Sequence, residues 1–193
     1  MEVTILNPEG VHESEKDAIS ELRASLPNSW KGYASLELID RAQGPSEMDL
    51  VVVTADRLII VELKNWNGPL FARDGHWFVF DDDRGRSPVD VTANKSRKLA
   101  GRIRKKLDGK LKRIPWVDYC VVLCGTSDKS NLPEDQAAFV VSLEDFKKAG
   151  TPTVYDNLFP KKLHFKDKSL RPNQHIDLWD RFFTGNREVA PEI

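Results

Sequence analysis

Three carboxylates and one ammonium lie near the ends of two apolar segments, at a spacing that could bring them together. These residues are Glu47, Asp49, Glu62 and Lys64. Segments 50–53 and 58–61 are rich in Val, Ile and Leu and flank a short polar turn, a pattern that predicts a β-hairpin. With the turn centred between residues 55 and 56, Asp49 pairs with Glu62 and Glu47 pairs with Lys64. All four side chains then share one face, because side chains alternate along a strand.

Carboxylates that face each other beside apolar strands are partly desolvated, and they repel unless a cation lies between them. The cluster is therefore a candidate site for Mg²⁺ or Mn²⁺, and an ammonium beside it suits nuclease chemistry. The alternative is a ladder of surface ion pairs, because Glu and Lys commonly flank strands. The interpretation depends on register, since a slip of one residue would send half of the cluster to the opposite face.

The composition indicates one soluble globular domain that can bury a substantial core. The chain has 193 residues, of which 40% are hydrophobic and 31% are charged. It holds no run approaching the ~18 apolar residues that span a bilayer, and its N-terminus lacks the pattern of a secretion signal. Cys120 and Cys124 are expected to be reduced thiols, and the histidines lack zinc-ligand spacing. We therefore expect a cytoplasmic protein with no membrane partner.

A strongly basic segment is hidden within a net charge of only −1. Residues 95–113 hold ten basic side chains and one acid, Asp108, a net charge of +9. Such a patch is the usual electrostatic signature of a surface that binds a polyanion, although a well-solvated helix face gives the same pattern. Beside a carboxylate–lysine cluster, nucleic acid is the better interpretation. The candidate nucleic-acid-binding residues are Lys95, Arg97, Lys98, Arg102 and Lys105.

Two amphipathic helices are expected to pack on the sheet that carries the hairpin. The first covers about residues 12–26, and Glu15 lies on its core-facing side. Glu15 is either a fourth acid of the site or simply an acid favoured in the first helical turn. The second covers about residues 90–107 and has Lys95 within its apolar stripe. Lys95 could thus reach a phosphate or the acidic cluster, or extend to the surface.

The remaining pattern predicts an α/β domain with a mixed sheet over residues 1–150. Further strands are expected at 33–39, 70–73, 76–80, 117–123 and 137–141, with a short helix at 142–149. The three aspartates at 81–83 are expected to form a solvated loop. Residues 151–193 are expected to be a C-terminal extension or linker that could pack on the core, with one helix at about 176–183.

Asp49 with Glu62-Leu63-Lys64 resembles the signature of the PD-(D/E)XK nucleases. A larger part of the chain, roughly residues 10–125, resembles the nuclease-related domain (NERD) family. The segments that carry this resemblance are Glu47-Met-Asp49, Ile60-Val-Glu62-Leu-Lys64-Asn-Trp66-Asn-Gly68, Gly75-His-Trp77, and Ser87-Pro88 through Asn94-Lys95 to Leu99. Glu15, followed by Ala18 and Leu22, fits the opening helix of the family. The chain departs from the superfamily pattern by lacking a proline before Asp49.

The resemblance implies a restriction-endonuclease-like core, a mixed sheet with a central antiparallel hairpin flanked by helices. It implies that Asp49, Glu62 and the main-chain carbonyl of Leu63 bind Mg²⁺ or Mn²⁺, with Glu15 and Glu47 assisting the metal or its waters. Lys64 would orient the attacking water or stabilise the pentavalent phosphate. In this family the domain is often fused to kinase, helicase or topoisomerase-type modules, many of them in bacteria.

Three classes of function are compatible with these features. The first is a metal-dependent nuclease that hydrolyses DNA, with RNA not excluded, in defence against foreign DNA or in DNA processing. The second is a non-cleaving module that recruits a fused or partner kinase or helicase to nucleic acid. The third is an interaction domain whose charges are structural. The intact set of Asp49, Glu62 and Lys64 favours cleavage, and no feature of the sequence indicates an oligomeric state.

Overall fold

A six-stranded mixed sheet carries the hairpin expected around residues 49–64. The computed structural model describes residues 1–111, 113–160 and 171–185, apart from the side chain of Asp40. The strands of this sheet are β1 (Glu2–Ile5), β2 (Lys31–Asp40), β3 (Gly44–Val53), β4 (Arg57–Lys64), β8 (Trp116–Leu123) and β9 (Val140–Ser142). They lie in the order β1-β2-β3-β4-β8-β9. The pairs β2–β3 and β3–β4 are antiparallel, whereas the pairs β1–β2, β4–β8 and β8–β9 are parallel.

A smaller antiparallel sheet and a set of helices complete the fold. The small sheet contains β5 (Leu70–Arg73), β6 (His76–Val79) and β7 (Asp82–Arg86). The helices are α1 (Glu13–Ser25), α2 (Pro88–Leu107), α3 (Glu134–Ala137), α4 (Leu143–Phe146), α5 (Pro152–Leu158) and α6 (Ile176–Thr184), with 3₁₀ turns at Pro8–Gly10 and Pro172–Gln174. The expected fold class is confirmed, because helices flank a mixed sheet with an antiparallel hairpin at its centre. Among the helices of the described residues, none has the length and apolar character needed to cross a membrane.

The two faces of the large sheet are covered by different helices. On one face, α1 and α4 pack with Leu22 and Phe146 against alternate residues of the central strands, such as Val52. On the other face, α2 and α6 pack against residues such as Val51. Burial on both faces explains why the central strands are continuous apolar runs rather than alternating ones. Segments beyond residue 150 also contact this core, since Phe159 belongs to the first cluster and the residues of α6 to the second.

The hairpin between β3 and β4 has the register expected from its sequence. Leu50 pairs with Val61 and Val53 pairs with Leu58, so the turn is centred between residues 55 and 56. Thr54 closes the turn, because its main-chain N–H and its hydroxyl both donate to the carbonyl of Arg57, each at 2.9 Å. The pairing therefore directs Asp49 toward Glu62, as the site requires.

Between residues 34 and 36 of β2, and between residues 50 and 48 of β3, the alternation of side chains between the two sides of the sheet is interrupted. Ala34 and Leu50 pack on the α1 side, whereas Leu36 and Met48 pack on the α2 side. Between Ala34 and Leu36 lies Ser35, whose φ of 53° is in the left-handed region. Because of this change of face, the strict alternation assumed from the sequence does not continue from residue 51 to residue 47.

Three local expectations differ from the structure. Residues 81–83 were expected to form a loop, but Asp82 and Asp83 belong to β7. This strand has no apolar alternation because it is an exposed edge. The strand expected at 137–141 is shorter and later, Val140–Ser142, since α3 takes up residue 137. A strand that was not expected, β1, pairs with β2 in parallel. Lys112, residues 161–170 and residues 186–193 lie outside the described residues.

Candidate active site between two diverging strands

The centre of the candidate site is the point where β3 and β4 stop pairing. Their ladder ends at Leu50 and Val61. One residue further, the carboxylate of Asp49 accepts a hydrogen bond from the main-chain N–H of Leu63, with Oδ2 and N 2.8 Å apart. The Asp49 side chain thus satisfies a donor that no longer has a main-chain partner on β3. The divergence of the strands and the half-buried position of the Asp49 carboxylate have the same local cause.

The main-chain carbonyl of Leu63 points to the same side of β4 as its N–H, toward β3. Lys64 uses its carbonyl on the other side of β4, where it accepts from the N–H of Cys124 at 2.9 Å. In a strand, the N–H and C=O of one residue point to the same side, and those of the next residue point to the opposite side. The N–H of Leu63 meets Asp49, so the Leu63 carbonyl also points into the gap beside β3.

Glu62 is held between two lysines on the α2 side of the sheet. Its side chain is 8% exposed. Oε2 is 2.7 Å from Nζ of Lys95, and Oε1 is 3.2 Å from Nζ of Lys64. The expectation that Lys95 turns toward the sheet is confirmed, and of the alternatives open to it the acidic cluster is the one that the structure shows.

The electrostatics of Asp49 differ from those of an ordinary surface carboxylate. Burial and the facing charge of Glu62 raise the pKa of Asp49 to about 7, with a further contribution from Glu15. The hydrogen bond from Leu63 and the charge of Lys64 act in the opposite direction without cancelling this rise. Glu62 has two lysines beside it, whereas the charges of Glu62 and Glu15 both raise the pKa of Asp49. A cation beside Asp49 would stabilise its ionised form.

Glu15 and Glu47 occupy different positions relative to this centre. The carboxylate of Glu15 accepts from the main-chain N–H of His12 at 3.4 Å and so caps α1, as acids in the first turn commonly do. Its charge nevertheless acts on Asp49. Glu47 is exposed and pairs with Glu37 on β2. The expected cross-strand pair of Glu47 with Lys64 is not formed, because the β3–β4 ladder ends before it.

The donor atoms at the centre suit a hard divalent cation. Within the described part of the chain, no three side chains of Asp, Glu, His and Cys are arranged so that they could hold a metal ion. The available set is two carboxylates, Asp49 and Glu62, and the carbonyl of Leu63, which is directed to the β3 side of β4. Mg²⁺ is commonly held by one or two carboxylates, with water and substrate oxygens completing its shell. The residues therefore fit Mg²⁺ or Mn²⁺ and do not resemble a zinc site.

The basic helix α2 runs beside the site with its charges in three kinds of environment. Lys95 faces Glu62, as described above. Lys98 donates to the hydroxyl of Ser46 at 3.1 Å, and Arg102 donates to the carbonyl of Ile39 at 3.0 Å. These two residues tie α2 to the end of the β2–β3 hairpin. The exposed members of the candidate nucleic-acid-binding set are Arg97 and Lys105.

Two residues near the site were not singled out by their chemistry in the sequence. The indole of Trp66 lies 5.8 Å from Nζ of Lys64 and limits where that ammonium can move. In the sequence, the feature that could have indicated this contact is the position of Trp66, two residues after Lys64. Cys124 also lies near the site. Burial, with a smaller contribution from the charge of Asp49, raises the pKa of its thiol to about 11. The parallel pairing of β4 with β8, which brings Cys124 here, has no local signature in the sequence.

Comparison with known proteins identifies the family of this chain. The profile of the nuclease-related domain matches residues 11–124, which include the diverging strands and α2. A probable kinase, PglW of Streptomyces coelicolor, is 26% identical over 150 residues, which cover 74% of this chain and 9% of that protein. The solved structure of protein VC1899 from Vibrio cholerae covers 73% of this chain and 31% of that chain, at 13% identity and a TM-score of 0.33. The profile match spans more than half of the sequence, and the chain belongs to the nuclease-related domain family.

Proposed function

We propose that this protein is a divalent-metal-dependent nuclease that hydrolyses phosphodiester bonds in DNA. The observation that carries the proposal is the pair of Asp49 and Glu62 at the divergence of β3 and β4. Burial and the charge of Glu62 raise the pKa of Asp49 to about 7, so the ionised form of Asp49 is destabilised and would be stabilised by a cation beside it. A role in defence against foreign DNA or in DNA processing is part of the proposal.

Asp49, Glu62 and the carbonyl of Leu63 would hold Mg²⁺ or Mn²⁺. When bound, the cation would polarise the phosphate and supply the Lewis acidity that hydrolysis needs. Lys64 has 28% of its side chain exposed, and Glu62 and Trp66 keep its ammonium at the margin of the site. In that position it can orient the attacking water or stabilise the charge that develops on the phosphate. The charge of Glu15, on α1, also acts on Asp49 and would add to the negative charge that a cation meets there.

The substrate backbone would lie along the exposed face of α2. Arg97 and Lys105 are exposed there, and they belong to a segment with a net charge of +9 over residues 95–113. Lys98 and Arg102 fix the helix to the β2–β3 hairpin, which keeps this face in a constant position relative to Glu62. A fixed basic surface next to a carboxylate pair suits a phosphodiester substrate.

Cleavage of a supercoiled plasmid tests the proposal directly. The wild-type protein, Lys64→Ala and Asp49→Asn are incubated with plasmid in Mg²⁺, in Mn²⁺ and in EDTA. We expect nicking by the wild type with either metal, none in EDTA, and a loss of at least 100-fold in both variants, the scale of a removed catalytic group. Nicking that survives in Asp49→Asn would show that the activity comes from another site or from a contaminant.

A second candidate is a non-cleaving module that binds nucleic acid and recruits another enzyme to it. The observation that favours it is that both carboxylate oxygens of Glu62 are already bound by lysines. The matched relative is described as a probable kinase, and this chain covers 9% of its length, so a fused or partner kinase is the recruited enzyme that we propose in this case. The module would retard plasmid in a gel shift and leave it intact in every metal, whereas the nuclease would nick it.

A further inference from the structure

Glu62 is the best-neutralised acid of the site, although it is also a proposed metal ligand. Each of its oxygens has its own lysine, with Lys64 from the same strand and Lys95 from α2. The contact with Lys95 is the shorter, at 2.7 Å against 3.2 Å. The side chain of Lys95 is also the more buried of the two lysines, 15% exposed against 28%. Lys95 is thus the principal counter-charge of Glu62.

The helix that carries Lys95 cannot easily withdraw it. Leu99 and Ile103, on the same stripe of α2, are fully buried against the sheet. Ser87 caps the start of the helix, accepting from the N–H of Asp90 at 3.3 Å. A partly buried ammonium also needs a compensating charge, since it cannot be fully hydrated. Any release of Glu62 therefore requires the Lys95 side chain to rotate, while the helix remains in place.

A divalent cation and Lys95 compete for the same oxygen. Oε2 of Glu62 is within hydrogen-bonding distance of the ammonium, and a cation held between Glu62 and Asp49 would have to share or displace that contact. Two positive charges at one carboxylate oxygen repel each other. The apparent affinity of a site is reduced by the fraction of time that the site is competent to bind.

On these grounds we propose that Lys95 is a positioning residue that substitutes for the divalent cation at Glu62 and thereby weakens metal binding by the free protein. This inference rests on the proposed function, because it concerns the same metal site. In the metal-free protein, the ammonium allows two facing carboxylates to remain close together without a cation. When a cation binds Glu62, it displaces the ammonium of Lys95. The ammonium then lies beside the proposed site of hydrolysis, where it can pair with a phosphate of the nucleic acid.

The test measures Mn²⁺ binding by calorimetry and does not depend on cleavage. Lys95→Met keeps the length and apolar stem of the side chain and removes its charge. We expect Lys95→Met to bind Mn²⁺ about tenfold more tightly than the wild type, because the competing ion pair is gone. Lys106→Met is the matched control: it removes the same charge from an exposed position on the same helix, and we expect it to change Mn²⁺ affinity less than about twofold. Lys95→Arg, which restores a cation, is expected to return the affinity toward that of the wild type.

Thermal unfolding gives an independent readout. In EDTA, Lys95→Met is expected to melt below the wild type, since Glu62 and Asp49 are then less well compensated. In excess Mn²⁺, its increase in Tm should exceed that of the wild type, because tighter binding gives greater stabilisation. If Lys95→Met does not fold in EDTA, Lys95→Gln, whose amide can still donate to Glu62, replaces it in both measurements.

The outcomes separate this inference from the proposed function. If the wild type binds Mn²⁺, Asp49→Asn does not, and Lys95→Met binds no more tightly than the wild type, the inference is overturned and the metal site stands. If neither the wild type nor Lys95→Met binds Mn²⁺, the metal site and the inference both fail. Tighter binding in Lys95→Met, with Lys106→Met unchanged, supports the inference whether or not the protein cleaves DNA.

Discussion

The carboxylate of Asp49 accepts a hydrogen bond from the main-chain N–H of Leu63, 2.8 Å away, where β3 and β4 separate. Asp49→Asn keeps an oxygen that can accept this bond, whereas Asp49→Leu leaves the buried N–H without a partner. Both substitutions remove the charge that Glu62 opposes. We therefore expect Asp49→Leu to be less stable than Asp49→Asn by about 1–3 kcal/mol, the cost of a buried unsatisfied donor. Urea denaturation in EDTA measures this difference. Equal stability of the two variants would mean that water satisfies the N–H of Leu63 and that the gap is already open to solvent.

Two features of Ser35 destabilise the fold, its backbone conformation and its buried hydroxyl, and replacement by glycine should remove both. Its φ of 53° lies in the left-handed region, and its hydroxyl is buried without a hydrogen-bond partner among the described residues. Glycine tolerates this φ, although it loses more entropy on folding. We expect Ser35→Gly to raise the free energy of unfolding by about 1 kcal/mol, and Ser35→Ala, which keeps the strain and removes the hydroxyl, to raise it less. Chemical denaturation compares the two. A loss of stability in both would indicate that the hydroxyl is bound by an ordered water that the fold requires.

The central part of the fold could be predicted from local chemistry. The runs at 50–53 and 58–61 are apolar throughout because both faces of the strands are buried, and their symmetry about residues 55 and 56 determined the register. By contrast, β7 has the composition of a polar loop. It is a strand because it pairs with β6, and that pairing leaves no apolar pattern in an exposed edge strand.

Within the candidate site, only the residues whose positions follow from the β3–β4 register or from the α2 stripe could be predicted. Asp49 and Glu62 follow directly from the hairpin, and Lys95 follows from the helical stripe that turns it to the sheet. The position of Glu47 could not be predicted, because it depends on the change of face at Ser35. A left-handed serine has no sequence signal comparable to that of glycine or asparagine.

Binding of DNA should depend on salt through the exposed face of α2. Each phosphate contact that is lost lowers the magnitude of the slope of log K against log salt by about 0.9. We expect Arg97→Gln and Lys105→Gln each to weaken binding and to reduce this slope by about one contact. Lys148→Gln is the control, since Lys148 is exposed just after α4, on the opposite side of the sheet from α2. Fluorescence anisotropy with a labelled duplex, titrated at several salt concentrations in EDTA, gives the slopes. Equal slopes in all four proteins would locate the DNA surface elsewhere.

The stability of the metal-free protein should fall as the pH rises from about 4 to about 7, because of Asp49. Burial and the charge of Glu62 raise the pKa of Asp49 from 3.8 to about 7 in the folded protein. Between these values the folded state binds a proton that the unfolded chain has lost, so the free energy of unfolding decreases with pH over this window. We expect the wild type to lose on the order of 1–3 kcal/mol relative to Asp49→Asn between pH 4.5 and pH 7.5 in EDTA, measured by urea denaturation. Mn²⁺ should oppose this trend, because a metal ligand must be ionised and the stabilisation by metal therefore increases with pH. Parallel profiles for the wild type and Asp49→Asn in EDTA would show that Asp49 ionises as an ordinary carboxylate, and the excess negative charge that supports the metal site would then be absent.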